Sequence, residues 1–119
     1  MTGAAALALA VPVAAHHSIS RHYDRRDSVT VEGVVIEFLL RNPHSQIRMQ
    51  VGDAAGQPAV VWTLEMDDAE DILEQGIVSD TIRAGDVVVA TGNPARDGSE
   101  AMFVRTLTRP SDGLEYYDD

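Results

Sequence analysis

The chain has no cysteine among its 119 residues, which removes disulfides, thiolate metal sites and cysteine nucleophiles from consideration. It has no lysine either, and its nine arginines face 19 acidic residues for a net charge of −10. That balance opposes long-range attraction to phosphate backbones and anionic lipid, so nucleic acid is not expected as a partner. Aromatic residues make up 5% of the chain, too few for a stacking surface that grips a carbohydrate polymer. Internal repeats are missing, and so is room for a second domain. What remains is one modest hydrophobic core drawn from the 45% of residues that are apolar.

Residues 3–15 read GAAALALAVPVAA, an uncharged apolar run that falls short of the roughly 20 residues a spanning helix needs. It fits the apolar core of a signal peptide over residues 1–15. Val13 and Ala15 stand at the −3 and −1 positions of a small-residue cleavage site, and Pro12 ends the helix before it. No Lys or Arg precedes the run, so the start lies upstream or the run is a buried amino-terminal helix. Cleavage after Ala15 makes His16 the new amino terminus and sends the protein to the periplasm or the medium, with no stable membrane insertion after processing.

The remaining sequence divides into a polar arm, residues 16–27, and a β-rich domain, residues 28–119. SVTVEGVVIEFLL at 28–40 is β-branched and predicts a long strand bent or bulged at Gly33. RNPHS at 41–45 is a turn. QIRMQV alternates as a second strand and AVVWTLEM supplies a third. DDAEDILEQG, acidic at its start and stopped by Gly76, predicts one short helix over 67–76. DVVVATGN and AMFVRTLTRP give strands four and five, the latter with Met102, Val104 and Thr106 facing one way. The tail GLEYYDD either pairs at an edge or frays. Three strands, a helix and two strands is the order of the OB-fold. The expected fold class is therefore all-β with one short helix, a five-stranded OB-fold-like Greek-key barrel, with a β-sandwich as competitor.

AHHS at Ala15 to Ser18, NPH at Asn42 to His44, W-x-x-E-M at Trp62 to Met66, and Gly85-Asp86 before a β-rich segment occur together. In this combination the chain resembles a family of small exported bacterial proteins known as a domain of unknown function. The resemblance covers nearly all of the chain after the leader and implies export and an OB-like domain, but no activity. It departs after Gly76, where Ile77 replaces an expected aromatic, and in the acidic tail.

The four histidines are the chemically informative residues. After cleavage, the α-amine and imidazole of His16 form a chelate on one residue, and a third nitrogen from His44 or His17 completes the T-shaped site called a histidine brace. Tetragonal nitrogen donors favour Cu(II), and an α-amine of pKa about 7.7 yields its proton to a metal near neutral pH. Cleavage after Ala14 instead leaves Ala15-His16-His17, a square-planar Cu(II) chelate through backbone amides. The competing reading makes His16 and His17 a solvated start and His44 a brace for the Asn-Pro turn. His22 is more simply solvated. Glu65 and Met66 serve either as axial ligands at the barrel mouth or as rim and core.

Other chemistry lacks support. None of Ser18, Ser20 and Ser45 stands in a G-x-S-x-G elbow. Asp67, Asp68, Glu70 and Asp71 lack calcium-loop spacing and suit a helix start. Trp62, alone at alternating strand spacing, suits the core. The sequence thus predicts an exported Cu(II) carrier or sensor with His16, His17 and His44 as ligands and no evident catalysis. The alternative is a periplasmic OB-fold interaction module that binds a protein or small ligand without metal. Its face on strands two and three would take a basic or neutral partner. A copper-dependent oxidase is a third possibility.

Overall fold

A computed structural model of the chain describes residues 19–52 and 58–118. The leader, the AHHS segment and the metal ligands expected at His16 and His17 lie outside the described residues.

The long first strand, β1 (Val29–Leu39), is shared between two neighbours. Its first half pairs antiparallel with β4 (Val87–Pro94) and its second half with β2 (Gln46–Val51). Both ladders meet at Val34. The irregularity expected at Gly33 falls instead between Val35 and Glu37, where the β1–β2 register shifts around Ile36. Gly33 has a different task. A Cβ there would stand 2.5 Å from the Gln50 carbonyl oxygen and 2.6 Å from Met49 Cγ, so the residue is small to admit the neighbouring strand and its buried methionine.

β3 (Val60–Glu65) pairs with β2, and β5 (Ala101–Arg109) with β4. A parallel seam of Thr63–Glu65 against Ala101–Phe103 joins β3 to β5 and closes a five-stranded mixed barrel of OB-like order. The tail does not fray. It forms an extra strand, β6 (Leu114–Tyr117), on the same edge of β5, because Tyr116 is fully buried and its hydroxyl donates to Asp67 Oδ2 at 2.9 Å. The expectation for Thr106 also fails. A register shift between Thr91 and Gly92 sets an extra residue, Arg105, in β5, so the inward positions move from Met102 and Val104 to Leu107.

Between β3 and β4 lies helix α1 (Ala69–Glu74), shorter than the segment anticipated from sequence. Asp68 caps it by accepting from the Asp71 N–H at 2.9 Å, and Asn42 Oδ1 accepts from the Ala69 N–H at 3.0 Å. The Asn of the NPH motif thus ties the β1–β2 turn to the helix start. Gly76, at φ +79°, ends the helix. Ile72 enters the barrel core with Ile47, Met49, Leu64, Met66, Val88, Met102 and Leu107, each such side chain contributing about 1.5–3 kcal/mol of burial. Trp62 packs half-buried against this core, as its strand position predicts, and Met66 belongs to the core itself.

Candidate functional site

The described part of the arm is fastened over the β3–β5 seam, outside the barrel. Residues 19–22 make one helical turn, Tyr23 bridges to Ala95, and the Asp24 N–H donates to the Pro94 carbonyl at 2.9 Å. Arg96 returns the contact through its backbone N–H to the His22 carbonyl and its Nε to the Ser20 carbonyl, both at 2.9 Å. Tyr23 lies buried with its ring centroid 6.0 Å from that of Phe103, and its hydroxyl donates to Glu65 Oε2 at 2.5 Å. His44 meets the same carboxylate, Nδ1 to Oε1, at 2.8 Å, and sets its ring edge against Phe103. Glu65 therefore joins three segments distant in sequence: the arm, the NPH turn and the third strand. Neither Tyr23 nor Phe103 belongs to the barrel core; they form a second cluster on the outer wall.

The chemistry of this cluster follows from its donors and acceptors. An ionised carboxylate only accepts, so His44 Nδ1 carries the shared proton and Nε2 is left with its lone pair in the neutral ring. Burial pushes the Tyr23 phenol well above its ordinary pKa, and the hydrogen bond to Glu65 adds to the rise. The phenol is thus a fixed donor at neutral pH.

Two clefts flank the cluster. One, of about 280 Å³, is lined by Ile19, Arg25, Asp67, Asp71, Glu74, Gln75, Phe103, Arg105 and Asp118. Arg105 lies 5.4 Å from the Phe103 ring centroid, pairs with Asp118 and donates from Nε to Asn93 Oδ1 at 2.8 Å. Burial raises the Asp67 carboxyl pKa despite the opposing Tyr116 hydrogen bond, and the Asp68 charge raises that of Asp71. The other cleft, of about 250 Å³, is bounded by Tyr23, Glu65, His22, Arg21, Arg96 and Asp97 among others. Among the described residues no group of three or more His, Asp or Glu is arranged to hold a metal ion. None of the described helices is long and apolar enough to cross a membrane.

A second feature lies on the outer face of the sheet. Val34 is directly opposite both Val87 and Gln50, and Gln50 is opposite Val61. Directly paired residues point to one face, so these four make a continuous cross-strand row over β4, β1, β2 and β3. The three valines are 44%, 43% and 45% exposed at Val87, Val34 and Val61, and Ile36 at the bulge adds to the apolar surface. Glu32 and the Glu37–Arg48 ion pair stand on the neighbouring rungs.

Of the sequence-predicted ligands, His44 is found beside Glu65, while His16 and His17 fall outside the described residues. His22 is exposed beside the second cleft. The sequence reading missed Phe103 and the valine row. Both left a signal. Phe103 stands at the outward parity between inward Met102 and Val104. Val34-Val35, Val60-Val61 and Val87-Val88 place apolar residues at both parities of a strand, a pattern of strands covered on both faces.

Residues 5–103 match the family of unknown function DUF6152. The chain belongs to that family. The match takes in the NPH turn, Trp62 to Met66 and the first three residues of β5, so the whole His44–Glu65–Tyr23–Phe103 cluster falls within the DUF6152 region. No curated protein and no solved structure matches the chain.

Proposed function

We propose that this DUF6152 protein is an exported interaction module that holds a partner protein against the outer face of β1, β2 and β3. The observation that carries this reading is the row Val87–Val34–Gln50–Val61. An antiparallel sheet with one solvated face alternates apolar and polar residues, and here the alternation is broken by valines on the solvent side. Single exposed apolar residues are ordinary, but three half-exposed valines aligned in one cross-strand row, with Gln50 among them and charges on the neighbouring rungs, favour a docking surface. Covering the valines would recover on the order of 0.5–1 kcal/mol each from the area still facing water. The chain's net charge of −10 selects a basic or neutral partner.

The test is photo-crosslinking in the native host from a reactive residue at Val34 or Val61, with Leu73, exposed on α1, as the control position. The expected result is one adduct shared by the two face positions and lost in a Val87→Asp background. Adducts identical to those from Leu73, or none, would sink the reading.

A second reading, a Cu(II) carrier or sensor, has one observation in its favour. Metal-ligating histidines commonly donate their second ring nitrogen to a carboxylate, and Glu65 fills that role for His44 Nδ1. His44 Nε2 would then be the ligand, with the amine and imidazole of a processed His16 supplying the others. Intact mass of the exported protein followed by Cu(II) titration decides it. A chain starting at His16 should bind one equivalent, and His44→Ala should weaken binding; a different terminus or no binding removes copper.

A further inference from the structure

The partner that fits the valine face is identified by the backbone beside it. β3 pairs with β2 along its whole length, but its other edge meets β5 only from Thr63 to Glu65. The Thr63 N–H turns away from β2 to the Glu100 carbonyl at 3.0 Å. Backbone groups alternate sides along a strand, so those of Val61, two residues earlier, also point away from β2. Among the described residues nothing accepts the Val61 N–H. Val61 therefore presents, among the described residues, an unpaired edge together with an exposed side chain of the valine row at the same place.

We infer that the occupant is an extended segment of a partner protein, apolar alternating with basic residues, that adds as a strand beside β3 at Val61. This rests on the interaction-module reading above. Main-chain hydrogen bonds to Val61 would continue the sheet, and alternate side chains of the added strand would lie on the outer face beside Val61, extending by one strand the row that runs on through Gln50 to Val34 and Val87. The basic residues follow from charge. The added strand runs toward the start of β5, where exposed Asp97 and Glu100 stand, on a chain of net charge −10. A second copy of the same chain would bring its own −10 to that edge. An exposed edge with apolar neighbours is a pairing template unless something occupies it, and β3 carries no lysine or inward charge to blunt it at Val60–Trp62. The other outer edge is handled differently. The Gln75 amide covers β6 by accepting from the Tyr117 N–H at 3.0 Å and donating to its carbonyl.

The probe is a synthetic peptide of about ten residues alternating valine and arginine, with a proline-interrupted version as control. It is added to the isotope-labelled full chain, and amide hydrogen exchange is read residue by residue. Saturation should slow exchange of the Val61 amide by about tenfold or more and shift the Val61 side-chain resonances. Val61→Pro removes the outward N–H at a position where an edge strand tolerates proline, so it should abolish binding without unfolding the barrel. Binding that shifts Val34 and Val87 yet leaves the Val61 amide unprotected and survives Val61→Pro overturns strand addition while leaving the valine face as the docking surface. Failure of the peptide to bind at millimolar concentration also overturns strand addition, and the crosslinking result then judges the face on its own. Protection of Val61 that rises with protein concentration in the absence of peptide would make the occupant a second copy and overturn the inferred partner.

Discussion

Glu65 adds a side-chain anchor to the backbone contacts that hold the arm over the barrel seam, and its share can be measured with a double-mutant cycle on Tyr23→Phe and Glu65→Gln. The Tyr23 hydroxyl donates to Glu65 Oε2, and the residue is 8% exposed. A hydrogen bond to a charged group is worth about 1.5–3 kcal/mol when fully desolvated. The Glu65 side chain keeps 30% of its exposure and retains His44 as a second partner, so its charge is never stranded when the hydroxyl is removed. The expected cost of Tyr23→Phe is therefore reduced to about 1 kcal/mol. Glu65→Gln should cost a similar amount, and the double variant should fall short of the sum by about 1 kcal/mol. Urea unfolding of the four proteins at pH 7 gives the global effect, with equal m-values required for the comparison. Local opening of the arm is read from the Asp24 and Arg96 amides, bonded to the Pro94 and His22 carbonyls. Their exchange should accelerate about fivefold for each kcal/mol lost. Additivity within about 0.3 kcal/mol, together with unchanged exchange at Asp24 and Arg96, would refute the idea that Glu65 fastens the arm.

Three further outcomes follow from the same geometry. Gly92→Ala would place a Cβ 2.1 Å from the Phe103 carbonyl oxygen, pushing β5 from β4 beside the seam. A loss of about 2–4 kcal/mol in urea unfolding is expected, against about 1 kcal/mol for Gly76→Ala, which strains only φ; equal losses would show that the seam yields freely. Tyr23 and Tyr116 are both buried with raised phenol pKa values. Their protons are held more tightly in the folded chain, so the stability they contribute is complete below about pH 10 and lost as pH rises beyond it. Tyr116→Phe should flatten that alkaline decline in a pH series of denaturation midpoints, and an unchanged slope would argue against it. Arg109 forks onto Asp112 and also reaches Asp86 and the Thr81 carbonyl. Its hydrogen bonds hold the Asp112 pKa at about 2, while the Arg83 N–H and then Arg109 lower that of Asp86. Stability from both carboxylates is present above about pH 4 and disappears as pH falls toward 2. Arg109→Ala should cost about 2 kcal/mol at pH 7 and weaken the acid dependence, which thermal melts between pH 2 and 7 would register.

Local chemistry wrote the elements of this protein into its sequence. Alternating β-branched residues mark β1 and β2, Asp68 and Gly76 bracket α1, and the order of three strands, helix and two strands points to the OB-like barrel. These signals depend on periodicity and turn residues within a few positions, and need no knowledge of what lies across the fold. The sequence also drew attention to His44 and Glu65 as chemically capable residues. Tertiary structure decided what they meet. Glu65 contacts Tyr23 across 42 positions and His44 across 21, which no local pattern encodes. The bulges at Ile36 and Arg105 were hidden because each answers to a partner strand's register; a single extra residue moved the inward position from Thr106 to Leu107. β6 formed because Tyr116 found a buried place and Asp67 found its hydroxyl. The valine row is divided in the same way. The doublets at Val34, Val60 and Val87 were legible as apolar residues at both parities, but only strand pairing could set Val87, Val34, Gln50 and Val61 side by side. Sequence determined the periods of the strands, and closure of the barrel determined which of their outward side chains became neighbours, because register is a property of pairs of strands.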